Sequence, residues 1–279
     1  MKEVYASGSK FQLLGRIDVS RKNAPVLVWP GSHIKFAFSG SSLCAVVDNF
    51  RFGNGRYLGF VVDGIEKSFE LKDGRQEICL ADGLPGGRHE AVIFKRMANH
   101  YLTIERLLID DGAEILEPAP LPHRRIEFYG DSVTAGDLVD VDECTGKPDP
   151  ADYNGDRDNS WHTYAMICER ELPAQVYDTS QGGIAIFDGT GYFEMPNTKG
   201  LESCYDKLRY CSASEITQWD FSRFVPHVLV FAVGQNDSSV GNDKIYDVDY
   251  RERWKNRYMD IIRLSLIHIS EPTRLGMIS

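Results

Sequence analysis

The chain reads as an all-β, jelly-roll-like sandwich followed by an α/β domain with a parallel sheet. Three observations predict this. Short β-prone runs separated by turn clusters fill roughly the first 110 residues, the pattern of an antiparallel sandwich. A stiff, extended connection follows, Glu117-Pro118-Ala119-Pro120-Leu121-Pro122. Beyond it, apolar strand-like runs alternate with helical stretches, the mark of a parallel sheet. The expected boundaries are 1–112 for the sandwich, 113–124 for the linker and 125–263 for the α/β domain. A chain of 279 residues is long enough for one or two domains with real cores.

In the front half the expected strands are Val26–Trp29, His33–Phe38, Leu43–Val47, Leu58–Val62, Ser68–Leu71, Glu77–Leu80, His89–Phe94 and Leu102–Ile109, with Asp63-Gly64 and Asp73-Gly74 as turn signals. In the second half, Ile126–Tyr129, Gln175–Thr179 and Val228–Val233 read as strands, the last as a buried parallel one. Trp161–Leu172 carries Tyr164, Ile167, Cys168 and Glu171 at helical spacing and stops at Pro173. Asp249–Arg263 carries Trp254, Tyr258, Ile261 and Ile262 in the same way. Neither an internal repeat nor a low-complexity tract is present.

Composition is that of a globular protein, with 42% hydrophobic and 26% charged residues. A net charge of −10 argues against nucleic acid or an anionic membrane as partner. The six cysteines show no Cys-x-x-Cys spacing, so scattered, reduced thiols are expected. The opening residues lack the apolar core of a signal peptide, and no stretch has the length of a membrane span. A cytoplasmic location is expected, or a secreted one if the true amino terminus is missing.

The chemistry concentrates at three strand ends. Ile126-Glu127-Phe128-Tyr129 feeds Gly130-Asp131-Ser132-Val133-Thr134-Ala135-Gly136. A Gly-flanked Ser after a strand is how an α/β enzyme presents a hydroxyl nucleophile, because glycine permits the sharp turn and a helix start supplies a favourable dipole end. It differs from the Gly-x-Ser-x-Gly elbow, since Asp131 directly precedes Ser132. A second strand ends in Gly234-Gln235-Asn236-Asp237 about a hundred residues later. A carboxamide there can aim at the oxyanion of a tetrahedral intermediate. Between them, Gln175–Thr179 runs into Ser180-Gln181-Gly182-Gly183-Ile184. Asp131 is expected to order the nucleophile turn and Asp237 to brace the Asn236 loop.

The Gly-Asp-Ser and Gly-x-Asn-Asp blocks resemble those of the SGNH (GDSL-like) hydrolases, which implies that the second domain is a flavodoxin-like SGNH hydrolase domain with a parallel sheet. Together with Gly15-Arg16, Trp29-Pro30-Gly31-Ser32, Phe38-Ser39-Gly40 and Asp63-Gly64, the similarity extends over residues 10–263 to carbohydrate esterase family two. That resemblance implies a serine esterase that removes O-acetyl groups from xylan- or glucomannan-type saccharides through an acetyl-enzyme, with no metal or other cofactor. It implies Ser132 as nucleophile and Ser132, Gly183 and Asn236 as oxyanion donors, with Gly182 the neighbouring alternative to Gly183. The partner implied is an acetylated oligo- or polysaccharide.

The base departs from the pattern. Such enzymes carry a late His, usually in Asp-x-x-His, and none of the seven histidines here stands in that motif after Asn236. Only His268 is late enough. It lies in Leu264-Ser265-Leu266-Ile267-His268-Ile269-Ser270-Glu271-Pro272-Thr273-Arg274, which resembles a translated sequencing-library adapter. Residues 264–279 are therefore expected to be a non-native tail on an incomplete, C-terminally truncated hydrolase domain, leaving the chain nearly inactive. The alternatives are a carbohydrate-binding protein with a degenerate hydrolase domain and a lipase or thioesterase of the same fold. Phe187, Tyr192, Phe193, Trp161 and Trp219 are candidates for stacking on sugar rings. Asp152–Asp158 reads as an acidic surface loop, since Arg157 and Thr163 occupy positions where a calcium loop needs Gly and Glu.

Overall fold

The computed structural model of the chain describes residues 1–238 and 243–266. The strands β1 (Lys2–Val4), β2 (Gln12–Leu14), β3 (Ile17–Asp18), β4 (Val26–Leu27), β5 (His33–Ser39) and β6 (Leu43–Arg51) come first. They are followed by β7 (Tyr57–Val62), β8 (Ile65–Glu70), β9 (Gly74–Ala81), β10 (Arg88–Lys95), β11 (His100–Ile109) and β12 (Ile115–Leu116). They form two antiparallel sheets, ordered β3-β4-β11-β6-β9 and β12-β5-β10-β7-β8, with β1 added to β11 and β2 to β5. Alternate residues of the two sheets, among them Phe36, Phe38, Phe60 and Ile93 against Ala45, Val47, Ile104 and Leu107, form one apolar core. At the β7–β8 hairpin Asp63 and Gly64 have φ of 50° and 82°, the left-handed pair that a two-residue turn needs. All eight runs read from the sequence are strands here. The sandwich also reaches further along the chain than the sequence pattern suggests, because β12 pairs with β5 inside the segment expected to be linker.

The second half contains β13 (Arg124–Gly130), α1 (Ser132–Ala135), α2 (Tyr164–Glu171), β14 (Ala174–Ser180), α3 (Leu201–Cys204), β15 (Val228–Ala232) and α4 (Val248–Leu266). Strands β14-β13-β15 lie parallel in that order. One face of this sheet packs on α2 through Phe128, Val176, Ala165 and Met166, joined by Phe94 of the sandwich. Trp254, Tyr258 and Ile261 of α4 cover part of the other face, near Tyr129 and Phe231. Strand β15 is less buried than its apolar run implies, with Val228 45% exposed. Among the described residues it pairs only with β13, so one edge has no ladder partner there.

Helix α2 turns the opposite face inward from the one its apolar spacing marks. Tyr164 and Ile167 are exposed, whereas Ala165, Met166 and Glu169 are buried. The reason is an ion-pair cluster across the two halves. His33 on β5 donates from Nδ1 to the Gly31 carbonyl and sets Nε2 3.1 Å from Oε1 of Glu169, and Lys35 bonds the same oxygen. Burial pushes the Glu169 carboxyl upward, but His33 and Lys35 outweigh it and hold it below the ordinary glutamate value. A carboxyl depressed by folding stabilises the protein above its unfolded pKa, and that contribution fades as pH falls through the folded value. Glu169→Gln should therefore cost about 3 kcal/mol near neutral pH, as expected when a buried pair loses one partner. The deficit should shrink below about pH 4.5, near the unfolded glutamate value. Denaturant melts of both proteins from pH 7 to pH 3 check this, and a deficit independent of pH would contradict it.

The two halves share a core as well as charges. Trp29 stacks on Tyr210 with ring centroids 3.8 Å apart and donates its indole N–H to the Leu208 carbonyl at 3.0 Å. One apolar cluster runs from Leu14, Val26 and Val28 of the sandwich to Tyr129, Tyr177 and Phe224 of the second half. The connection itself is tethered at both ends, by Gln12 to the Ala119 carbonyl and by Gln175 to the Pro122 carbonyl.

Candidate active site

The parallel sheet puts three loops at one rim. Gly130 is in register with Ser180 on one side and with Ala232 on the other. Ser132 therefore lies two residues past the strand ends, Gly183 three and Asn236 four, all at the carboxyl edge. In an open α/β sheet this edge is where ligands bind.

Each loop is shaped by contacts that explain its residues. A Cβ on Gly130 would sit 1.9 Å from the Thr134 hydroxyl oxygen, so the turn into α1 requires glycine. Asp131 caps that helix by accepting the Val133 N–H at 3.2 Å. Burial raises the Asp131 carboxyl, against the N–H groups of Val133 and Gln235. The Gln235 contact ties the Ser132 turn to the loop that carries Asn236. Asp131 thus stands as a structural carboxylate beside Ser132, which is half-buried at the helix start.

The Gly183 loop is held from both halves of the protein. Gly183 has φ of 76°, and its carbonyl accepts the Tyr192 N–H at 2.7 Å. Gln181, just before it, donates from Nε2 to Asn99 of the sandwich at 3.1 Å and accepts the Tyr210 hydroxyl at 2.7 Å. The sequence reading assigned Gln181 no part. Its only local signal was a place beside the Gly pair, whereas its partners lie 82 and 29 residues away.

The third loop closes onto the second. Asn236 donates from Nδ2 to the Ile184 carbonyl at 2.9 Å, which sets its carboxamide beside the Ile184–Ala185 peptide, one residue past Gly183. Asp237 accepts the Ile186 N–H at 3.0 Å. Burial pushes the Asp237 carboxyl up to about 6, opposed by that N–H. The placement of Asp237 is that of a brace between two loops.

Beneath the rim lies a group with no counterpart in the sequence reading. Asp178 on β14 accepts the Ser180 hydroxyl at 2.5 Å and is pushed up to about 8 by burial, against Ser180 and Lys95. Lys95 is fully buried, donates to the Met97 carbonyl, and is driven well below its usual value by burial. Asp137, raised by burial and by Asp158 and Asp131, lies against Gly182, where a Cβ would come within 2.1 Å of its carboxylate. Among the described residues no group of His, Cys, Asp and Glu is arranged to hold a metal. Asp158 of the acidic loop instead accepts the Leu138 N–H and the Tyr153 hydroxyl.

The histidines fall elsewhere. His89 is held by Asp63 and the Pro85 carbonyl, and His100 by Asn49. His33 faces Glu169. His162 contacts Asp140 at 2.5 Å and Glu66 at 2.8 Å. Burial works against charge on His162, but these carboxylates outweigh it and hold the imidazole above its ordinary value. His227 accepts the Arg125 N–H at the opposite end of the sheet, with the His123 ring against it. His268 lies outside the described residues.

Of the aromatic candidates, Trp161, Phe193 and Trp219 are buried. Trp161 stacks on Phe94, Phe193 packs on Tyr210, and Trp219 lies under the Arg16 guanidinium, so none is available to a sugar. Tyr192, half exposed and adjoining Gly183, stands at the rim. Phe187 packs against Tyr250.

Residues 13–120 match the carbohydrate esterase 2 N-terminal family. The chain as a whole resembles a family two carbohydrate esterase. It is 30% identical over 227 residues to the cellulase/esterase CelE of Acetivibrio thermocellus, covering 81% of this chain and 26% of that protein. It is 25% identical over 266 residues to an acetylxylan esterase / glucomannan deacetylase of Cellvibrio japonicus, covering 94% of this chain and 69% of that one. The solved family two esterase of Cellvibrio japonicus superposes with a TM-score of 0.79 at 24% identity, over 96% of this chain and 75% of that chain. An acetyl xylan esterase from Butyrivibrio proteoclasticus gives 0.80 at 17% identity, over 96% and 78%. The family two fold thus spans both halves of the described chain, which covers about a quarter of the first curated relative's length.

Proposed function

We propose that this chain is a serine-type O-acetyl esterase for acetylated saccharides of the xylan or glucomannan kind. The observation that carries the reading is the register of the three parallel strands, which brings the Ser132, Gly183 and Asn236 loops to one edge. In the proposed reaction the Ser132 oxygen attacks the acetyl carbonyl. The resulting oxyanion is met by the backbone N–H groups of Ser132 and Gly183 and by the Asn236 carboxamide. The sugar alcohol leaves, and water then hydrolyses the acetyl-enzyme. Asp131 and Asp237 hold the loops in place, and the exposed ring of Tyr192 is the candidate platform for the sugar. The relatives named for acetylxylan and glucomannan support the substrate class.

The base is the weak part of the machinery. Each of the six described histidines is engaged by the partners given above, and Ser132 is not among those partners. We therefore propose that the described residues supply the nucleophile and oxyanion donors, and that none of the six described histidines serves as the base for Ser132.

A substrate panel tests the substrate class. Under single-turnover conditions, acetylated xylo- and manno-oligosaccharides should lose acetate faster than the corresponding butyryl and octanoyl esters lose their acyl groups. Tyr192→Ala should weaken saturation by the sugar substrates severalfold and leave small aryl acetates unaffected. Faster cleavage of the longer acyl esters would place the protein among lipases or thioesterases and overturn the proposal.

A further inference from the structure

Cys44 on β6 and Cys79 on β9 are directly opposite one another in an antiparallel pair. Opposed residues of such a pair have Cα atoms about 4.5–5.5 Å apart and side chains on the same face. That separation lies within the span of roughly 4.4–6.8 Å that a disulfide bridges without moving the backbone. The Cys79 thiol donates to the Ala81 carbonyl at 3.5 Å, and both cysteines are unoxidised in the structure. They differ in access: Cys44 is buried and Cys79 exposed. Strand β9 is the outer strand of its sheet, and the β6–β9 register slips between Leu43 and Cys44. Neither cysteine has a part in the proposed ester chemistry, and 34 intervening residues hid the pairing from the sequence reading.

We propose that Cys44 and Cys79 are a dithiol modification site, closed to an intrachain disulfide by hydroperoxides. Exposed Cys79 reacts first. Its thiolate sulfur attacks a peroxide oxygen, an S–O bond forms, the O–O bond breaks, and the departing hydroxide or alkoxide takes up the proton the Cys79 thiol gave up and leaves as water or an alcohol. Cys44 then attacks the sulfenic sulfur. The S–S bond forms, the S–O bond breaks, and the departing hydroxide takes the Cys44 proton to leave as water. Two thiols supply the two electrons that reduce one hydroperoxide. Burial, followed by the Cys79 neighbour and the charges of Glu77 and Asp82, pushes the Cys44 thiol up to about 12, so it waits as the resolving partner. The product pins β9 to β6 and closes the loop that contains β7 and β8.

The test uses the whole chain treated with hydrogen peroxide, then blocked at its remaining thiols and mapped by mass spectrometry without reduction. A Cys44–Cys79 peptide within one chain should appear and be reversed by dithiothreitol. The melting midpoint should rise by about 5–10 °C, the order expected for a disulfide of this loop length in a protein of this size. Cys79→Ser and Cys44→Ala should each lose both the peptide and the rise. Conversion of Cys79 to sulfinic acid with Cys44 untouched, or a chain-to-chain disulfide in place of the internal one, would overturn the proposal.

Discussion

The 279-residue chain should release acetate from an aryl acetate at about a millionth of the rate of an enzyme with an intact Ser-His unit. The expectation follows from how the six described histidines are held, each by partners other than Ser132. Without a base, the Ser132 hydroxyl keeps its proton and attacks poorly. The remaining catalysis then comes from binding and from the oxyanion donors, about 10³–10⁴ over water.

The variants have an unusual signature. Groups that act as one unit are strongly non-additive, so Ser132→Ala should change the residual rate by no more than a few-fold. Asn236→Ala should lower it by about 10²–10³, because a carboxamide facing the oxyanion works whatever the nucleophile. His268→Ala should have no effect if the tail takes no part. Brisk turnover abolished by both Ser132→Ala and His268→Ala would sink this expectation and make His268 the base. Initial rates with p-nitrophenyl acetate, corrected for spontaneous hydrolysis, separate these outcomes.

What was legible in the sequence was local. The front-half strands of six or more residues carry a period of two between turn residues, and all were readable. Strands β1, β2, β3 and β12, of two or three residues each, are too short to show any period. The three site blocks were readable because each is a strand end followed by residues with a local steric or hydrogen-bonding reason, such as Gly130 against Thr134. Long-range pairing was not readable. Glu169 belongs to the buried face of α2 only because His33 and Lys35 arrive from the other half, so a pattern that counts apolar residues selects the wrong face. Cys44 with Cys79 and Gln181 with Asn99 were hidden for the same reason.

Arg16 is the sharpest case of that kind, and its loss should be among the most destabilising single changes available. It sits in an apolar stretch, between Leu13-Leu14 and Ile17, and is fully buried. Its five N–H groups are all used. Nε and one Nη2 hydrogen go to Oε1 of Glu127 at 3.1 and 2.9 Å, and Nη2 also donates to the Tyr129 hydroxyl at 2.5 Å. Nη1 donates to the carbonyls of Tyr205 and Lys207 at 2.6 and 3.0 Å. The rings of Trp29, Tyr129, Trp219 and Phe221 surround the guanidinium at 5.3–5.9 Å. One side chain of the sandwich thus organises the floor beneath β13.

Arg16→Ala would leave Glu127 as an unpaired buried carboxylate, a loss of about 3–5 kcal/mol. Typical domain stability is only about 5–15 kcal/mol, so a fall in melting midpoint of roughly 10 °C, or no cooperative transition at all, is expected. Arg16→Lys should rescue little, because a single ammonium cannot reproduce the planar fork. The double change Arg16→Met with Glu127→Leu should recover much of the loss, since an apolar pair removes both buried charges together. A double-mutant cycle read by calorimetry isolates the coupling. If Arg16→Ala melts within 2 °C of the parent, the guanidinium is not what joins the halves. Stacking of Trp29 on Tyr210 would then have to hold them, and Trp29→Ala would become the more damaging substitution.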